Sequence, residues 1–267
     1  MNASISSVPI GLAIVSCITI GLTILMLQVK WSKRFCRLNA FGDVIPVTFG
    51  VVPAFALMLV MFVWHPASLA SCFLLSGFCI VGCLDDIYGS PAYRGIRGHL
   101  SALRRGTVTT GLVKLIASPV MASVFATSQY STQNWLTYIY IVMIAASSNV
   151  FNLLDLRPGR SQGFAIITLL AILTFFHAPI VVGAMLVLII TIIPDARAMV
   201  MMGDSGAIAI GSGIALVVIA SSNITLAITY TLLAVALNLL AEKYSLSKLI
   251  EQNDVLRKVD GLLGRRR

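Results

Sequence analysis

The sequence predicts an all-α polytopic membrane protein of about nine transmembrane helices, with a candidate active-site cleft at its cytosolic face. Three observations carry that expectation. First, 58% of the residues are hydrophobic and only 11% are charged, against about 25% charged in a soluble domain. Second, apolar runs near 8–28, 47–64, 67–84, 107–127, 136–153, 163–177, 179–194, 205–221 and 224–240 alternate with short polar segments. Several are short enough to require broken or re-entrant geometry. Third, with residue 1 outside, nine spans bring the basic residues of 30–37, 94–105, 157–160, Arg197 and 243–267 to the inner side. The outer segments 65–66, 128–135, 178 and 222–223 carry no Lys or Arg, so the positive-inside rule is obeyed throughout. Residues 1–241 form the transmembrane domain and 242–267 a basic cytosolic amphipathic tail. The net charge of +9 follows this topology, so membrane lipids are expected as partners and nucleic acid is not.

Taken in order, residues 8–28 contain no ionisable group, follow no basic stretch and precede no clear cleavage site; they read as a retained anchoring helix. Trp31, Lys33, Arg34 and Arg37 mark the inner interface. In Phe41 to Gly50, Pro46 restricts the residue before it while Gly42 and Gly50 permit close backbone, which predicts a structured lead-in to span two. His65 reads as an interfacial turn residue and His177 as a structural one. Span three carries Gly77 and Gly82 for close helix contacts and ends in Asp85 and Asp86. Charged groups at the mouth of a span are costly and mark functional sites by default.

Residues 87–106 form a polar inner loop in which Arg94, Arg97, His99, Arg104 and Arg105 outnumber the acids. This reads as an anion-binding rim, with Arg97 a substrate-binding candidate and an ion-pair network the alternative. Lys114 lies inside span four, either snorkelling or facing the carboxylates. Asn149, Asn152 and Asp155 follow at three-residue spacing, on neighbouring positions of one face if the helix persists. Amides beside a carboxylate suit paired hydrogen bonds to a base or sugar. Asp195 and Arg197 read as a local pair at the next turn. Gly203-Asp204-Ser205-Gly206 opens span eight, where the glycines let backbone approach a ligand and Asp204 is a candidate metal ligand. In the tail, Ile250, Leu256, Val259 and Leu262 can face lipid. The five cysteines cluster with no histidine and read as apolar filler.

Three acidic sites on one side imply a shared cavity. Carboxylates without a histidine or thiol cluster favour Mg²⁺ or Mn²⁺ over zinc. Cations and amides beside them favour a phosphate-bearing ligand, consistent with phosphoryl transfer. These residues alone leave two classes open, a Mg²⁺-dependent membrane enzyme and an ion-coupled transporter.

Pro46-Val47-Thr48-Phe49-Gly50, Gly82-x-x-Asp85-Asp86, Gly111-Leu112-x-Lys114, Asn149-x-x-Asn152-Leu153-x-Asp155 and Gly203-Asp204-Ser205-Gly206 occur in this order beside the appropriate spans. In this the chain resembles the polyprenyl-phosphate N-acetylhexosamine-1-phosphate transferases, relatives of phospho-N-acetylmuramoyl-pentapeptide transferase. The resemblance implies transfer of an N-acetylhexosamine 1-phosphate from a UDP-linked amino sugar to undecaprenyl phosphate, releasing UMP, at a bacterial cell membrane. It implies Asp85, Asp86 and Asp204 as catalytic residues, Asp204 also as the Mg²⁺ ligand. Lys114, Asn149, Asn152 and Asp155 are then substrate-binding, beside Arg97 of the basic rim, and a homodimer follows by analogy. The chain departs from the family pattern at Pro158, where a second Asp is usual, and in lacking a histidine-rich loop between the last two spans. The alternative to an active enzyme is an inactive lipid-phosphate-binding relative.

Overall fold

A computed structural model of the chain describes residues 7–39, 41–90 and 95–264, apart from the side chains of residues 96 and 97. The helices are α1 (Ser7–Gln28), α2 (Val51–Trp64), α3 (Ser68–Tyr88), α4 (Gly95–Arg104), α5 (Thr110–Gln129) and α6 (Trp135–Leu154). They continue with α7 (Arg160–Leu173), α8 (Pro179–Ala196), α9 (Gly203–Ala220), α10 (Ile224–Lys243), α11 (Leu246–Gln252) and α12 (Asp254–Leu263). Seven of these are long and apolar enough to cross a membrane. The other two expected spans, α2 and α7, are 14-residue apolar helices. At 1.5 Å per residue each is about 21 Å long, short of a hydrocarbon core of about 30 Å.

The buried centre is α9. It packs between α3 and α6, with α2 and α7 against it as well. Its sequence explains the position, because Gly206, Ala207, Ala209, Gly211 and Ser212 leave room for neighbouring backbones. A Cβ on Gly50 would stand 2.2 Å from the Gly206 nitrogen, and one on Gly211 would stand 2.5 Å from the Ser147 carbonyl oxygen. Helix α1, by contrast, exposes most of its surface on the rim of the bundle and touches α2 and α8.

The structure gives the expected lead-in its form and departs from the expected layout in two other places. The lead-in to α2 contains a short antiparallel hairpin, β1 (Cys36–Leu38) with β2 (Val44–Pro46), in the register Cys36 to Pro46. Its turn is closed by Asn39, whose side-chain oxygen accepts the Phe41 and Asp43 N–H groups, with Gly42 at φ +90°. The segment 87–106, expected as a loop, contains the amphipathic helix α4. The tail is not laid out along a lipid surface as a whole: Ile250 is buried, and α11 and α12 pack back onto the bundle.

The turn between α2 and α3 also holds more than an interfacial residue. His65 is buried; its Nε2 donates to the Leu216 carbonyl at 3.1 Å and its Nδ1 accepts the Ala67 N–H at 3.0 Å. The carbonyl can only accept, which assigns the proton to Nε2. Burial pushes the imidazole pKa down from 6.5 to about 4.

Candidate functional site

The C-terminal ends of α3 and α6 and the N-terminal ends of α5 and α9 meet at one end of the bundle. Helix α3 runs four residues further than the expected span, so Asp85 and Asp86 lie in its last turns rather than beyond it. Adjacent residues on a helix point about 100° apart, and the two acids do different things.

Asp86 turns toward α9. Its oxygens accept the N–H groups of Asp204 at 2.8 Å and Ser205 at 3.0 Å, two unpaired donors at the helix start. A carboxylate here also meets the positive end of the helix dipole. Behind it, Arg37 donates to the carbonyls of Asp86 and Ile87, both at 3.0 Å, and ties the hairpin to the end of α3. Arg37 is therefore engaged with backbone.

Asp85 turns toward α5. It accepts a short hydrogen bond from the Thr110 hydroxyl and a 2.7 Å ion pair from Lys114. The same ammonium pairs closely with Asp204 of α9, so Lys114 faces the carboxylates and does not snorkel away from them. Asn152 of α6 completes the cluster when its amide is turned to donate to Asp204 Oδ1 at 2.6 Å and accept from Lys114 Nζ at 3.2 Å. Four helices thus place one cation and one amide between two carboxylates. Thr110 escaped notice in the sequence, although it sits four residues before Lys114 on the same face of α5.

Asn149 and Asn152 line one cavity and Asp155 lines another. Each three-residue step moves about 60° around the helix, and Asp155 is already the residue capping α6. Asn149 instead donates to Asn238 of α10, whose own amide donates to the Ala146 carbonyl at 2.9 Å. Asn238 is a polar residue in an apolar span, the signal by which it could have been found. A cavity of about 360 Å³ opens here, lined by Lys114, Asn149, Asn152, Asn238, His99 and Glu242. The His99 Nδ1 lies 2.8 Å from the Thr109 hydroxyl, and its ring rests on Gly111, where a Cβ would come within 2.3 Å.

Asp155 lines a second, smaller cavity with Asn39, Arg157, Pro158, Asp195 and Met202. Burial, reinforced by the carboxylates of Asp195, Asp204 and Asp86, pushes its carboxyl well above the usual range. Asp195 is buried and accepts the Gly159 N–H at 3.1 Å and the Gln162 amide at 3.2 Å, a larger role than a local pair with Arg197. Arg97 belongs to α4, but its side chain lies outside the described residues.

A sequence model described as glycosyl transferase family 4 matches residues 68–222, more than half of the chain. The chain belongs to glycosyl transferase family 4. The matched stretch runs from α3 to the end of α9 and contains Asp85, Asp86, Lys114, Asn152, Asp155 and Asp204. Membership makes the chain a membrane transferase of the polyprenyl-phosphate sugar-1-phosphate kind, with a nucleotide-sugar donor and a polyprenyl phosphate acceptor. No curated protein matches it.

The donor set has a bearing on the metal expected from the sequence. Among the described residues, no three or more His, Cys, Asp or Glu side chains are grouped to hold an ion. Asp85 and Asp204 nonetheless direct hard oxygens at one point, where the Lys114 ammonium now stands. Mg²⁺ binds through one or two carboxylates and takes its other ligands from water and substrate phosphates, so Asp204 suits an ion shared with substrate rather than a closed cage.

Proposed function

We propose that this glycosyl transferase family 4 member transfers an N-acetylhexosamine 1-phosphate from a UDP-linked amino sugar to undecaprenyl phosphate and releases UMP. The observation that carries the reading is the Asp85–Lys114–Asp204–Asn152 cluster beside an open cavity, formed by residues of the family-matched region. In this reading a lipid-phosphate oxygen attacks the sugar-bound phosphorus. A new P–O bond forms, the diphosphate bond breaks and its electrons leave on UMP. Asp85, oriented by Thr110, receives the proton of an acceptor that arrives singly ionised. Lys114 brings positive charge to the crowded phosphates, and Asn152 donates where charge accumulates. Asp86, through its bonds to the Asp204 and Ser205 N–H groups, would serve catalysis by holding the start of α9 in place. Asp204 would hold Mg²⁺ or Mn²⁺, which would supply charge neutralisation on the diphosphate. Asp155 and Arg157 border the smaller cavity, which we assign to the nucleotide side.

The same end of the bundle carries Lys33, Arg104, Arg157 and Lys243, so the positive-inside rule supports a cytosolic site. The test is UMP release by purified protein with Mg²⁺, undecaprenyl phosphate and a panel of UDP-amino sugars. Release that needs lipid and metal and vanishes in Asp85→Asn and Asp204→Asn supports the reading and names the donor. Silence from folded protein across the panel favours an inactive lipid-phosphate-binding relative. A sugar phosphate trapped on Asp85 overturns direct attack.

A further inference from the structure

Residues 155–160 join α6 to α7, and the loop is gripped from two sides. On one side Asp195 accepts the Gly159 N–H and the Gln162 amide. On the other the C-terminal helices close over it. Arg160, the first residue of α7, is 1% exposed, and its guanidinium is bidentate on Asp260, with Nε to Oδ1 at 2.7 Å and Nη2 to Oδ2 at 2.9 Å. Its remaining nitrogen donates to Ser247 at 2.8 Å. Leu263 seals the contact: a Cβ on Gly159 would stand 2.2 Å from its carbonyl oxygen, and one on Gly163 would stand 2.4 Å from its side chain.

An arginine at this position runs against its local electrostatics. The N-terminus of a helix is its positive end, and a buried guanidinium is costly unless paired. Its partner lies 100 residues away in sequence, on α12. A buried ion pair adds little net stability over well-packed apolar side chains, but a bidentate fork tolerates only one relative placement of its two backbones. The backbone placed here is the loop whose other end carries Asp155 and Arg157 into the small cavity. The α11–α12 segment also reaches Arg157 directly, through Glu251 at 3.1 Å.

We propose that residues 245–264 are a strap that fixes the 155–160 loop, with Arg160 and Asp260 as its positioning pair, and that the strap sets affinity for the nucleotide-sugar donor. Neither residue lines the cavity; both act through the loop. The second half of the proposal rests on the nucleotide-side reading of Asp155.

The experiment compares the full-length protein with Asp260→Asn and with the double variant Arg160→Met/Asp260→Leu, which keeps the site filled but removes the fork. Amide hydrogen exchange in detergent reads the loop without any need for activity. Steady-state UMP release from UDP-N-acetylglucosamine and undecaprenyl phosphate reads the donor site. We expect exchange across 155–163 to rise about tenfold in both variants, with α3 and α9 unchanged. We expect donor KM to rise about tenfold while acceptor KM and kcat stay within about threefold. A double variant with wild-type exchange and wild-type donor KM overturns the strap. So does faster exchange spread over the whole bundle, which makes the pair a general structural support. If the wild-type chain releases no UMP with any donor of the UDP-amino sugar panel, the transferase reading fails while the exchange arm still decides whether the tail fixes the loop.

Discussion

Replacing Gly82 by alanine tests whether the meeting of α3 and α9 creates the site. A Cβ at this position would stand 2.5 Å from the Asp204 carbonyl oxygen and from the Ser205 backbone nitrogen and Cα, all main-chain atoms with no rotamer to yield. Ordinary contact begins near 3.4 Å, so the two helices must separate by about 0.9 Å. The Asp86 bonds to the Asp204 and Ser205 N–H groups, now 2.8 and 3.0 Å, then stretch past 3.5 Å. Each is a hydrogen bond to a charged group contributing about 1.5–3 kcal/mol, so the expected destabilisation is roughly 3–6 kcal/mol, less whatever water recovers. Asp204 moves with its helix, and a 1 Å misplacement of a catalytic group costs about 100-fold in rate. The assay is thermal unfolding in detergent with kcat for UMP release on the same preparation. Gly21→Ala is the control, since nothing lies within 4 Å of a Cβ there. A Gly82→Ala protein with wild-type melting temperature and turnover would refute the close-packing argument.

Lys114→Met leaves Asp85 and Asp204 facing each other without the shared cation. We expect turnover to fall roughly 100-fold or more, and the melting temperature to drop and be partly restored by Mg²⁺ in the millimolar range. Unfolding and UMP release measured with and without Mg²⁺ check both; wild-type turnover would count against Lys114 at the phosphates. Chelation of the wild-type protein with EDTA should abolish UMP release and re-addition of Mg²⁺ restore it; metal-independent turnover would remove Asp204 as a metal ligand. His65 gives a pH prediction. Its folded pKa of about 4 lies below the ordinary 6.5, so the unfolded chain binds the extra proton first and stability is lost as pH falls from 6.5 toward 4. Protonating Nδ1 would set an N–H against the Ala67 N–H it now accepts. The loss should reach about 2 kcal/mol by pH 5 and be absent in His65→Gln, read from melting temperatures across that range.

Much of this protein was legible in its sequence because a bilayer permits few solutions. Backbone groups in hydrocarbon must be satisfied within a helix, so runs of apolar residues map directly onto α1 to α3 and α5 to α10, with ends displaced by a few residues. Charges beside such runs are costly enough to stand out, which is why Asp85, Asp86, Lys114 and Asp204 could be named before any geometry was known. What each does was decided by tertiary structure. Asp85 and Asp86 are neighbours of the same type, yet one faces Lys114 and the other the start of α9, because successive helical residues point in different directions and different helices lie there. Asn149 was drawn off to Asn238 for the same reason. The Arg160–Asp260 pair carried no local sign at all, since a contact across 100 residues exists only once the chain has folded back on itself. Local pattern records where a side chain is expensive; only packing determines which partner offsets that cost.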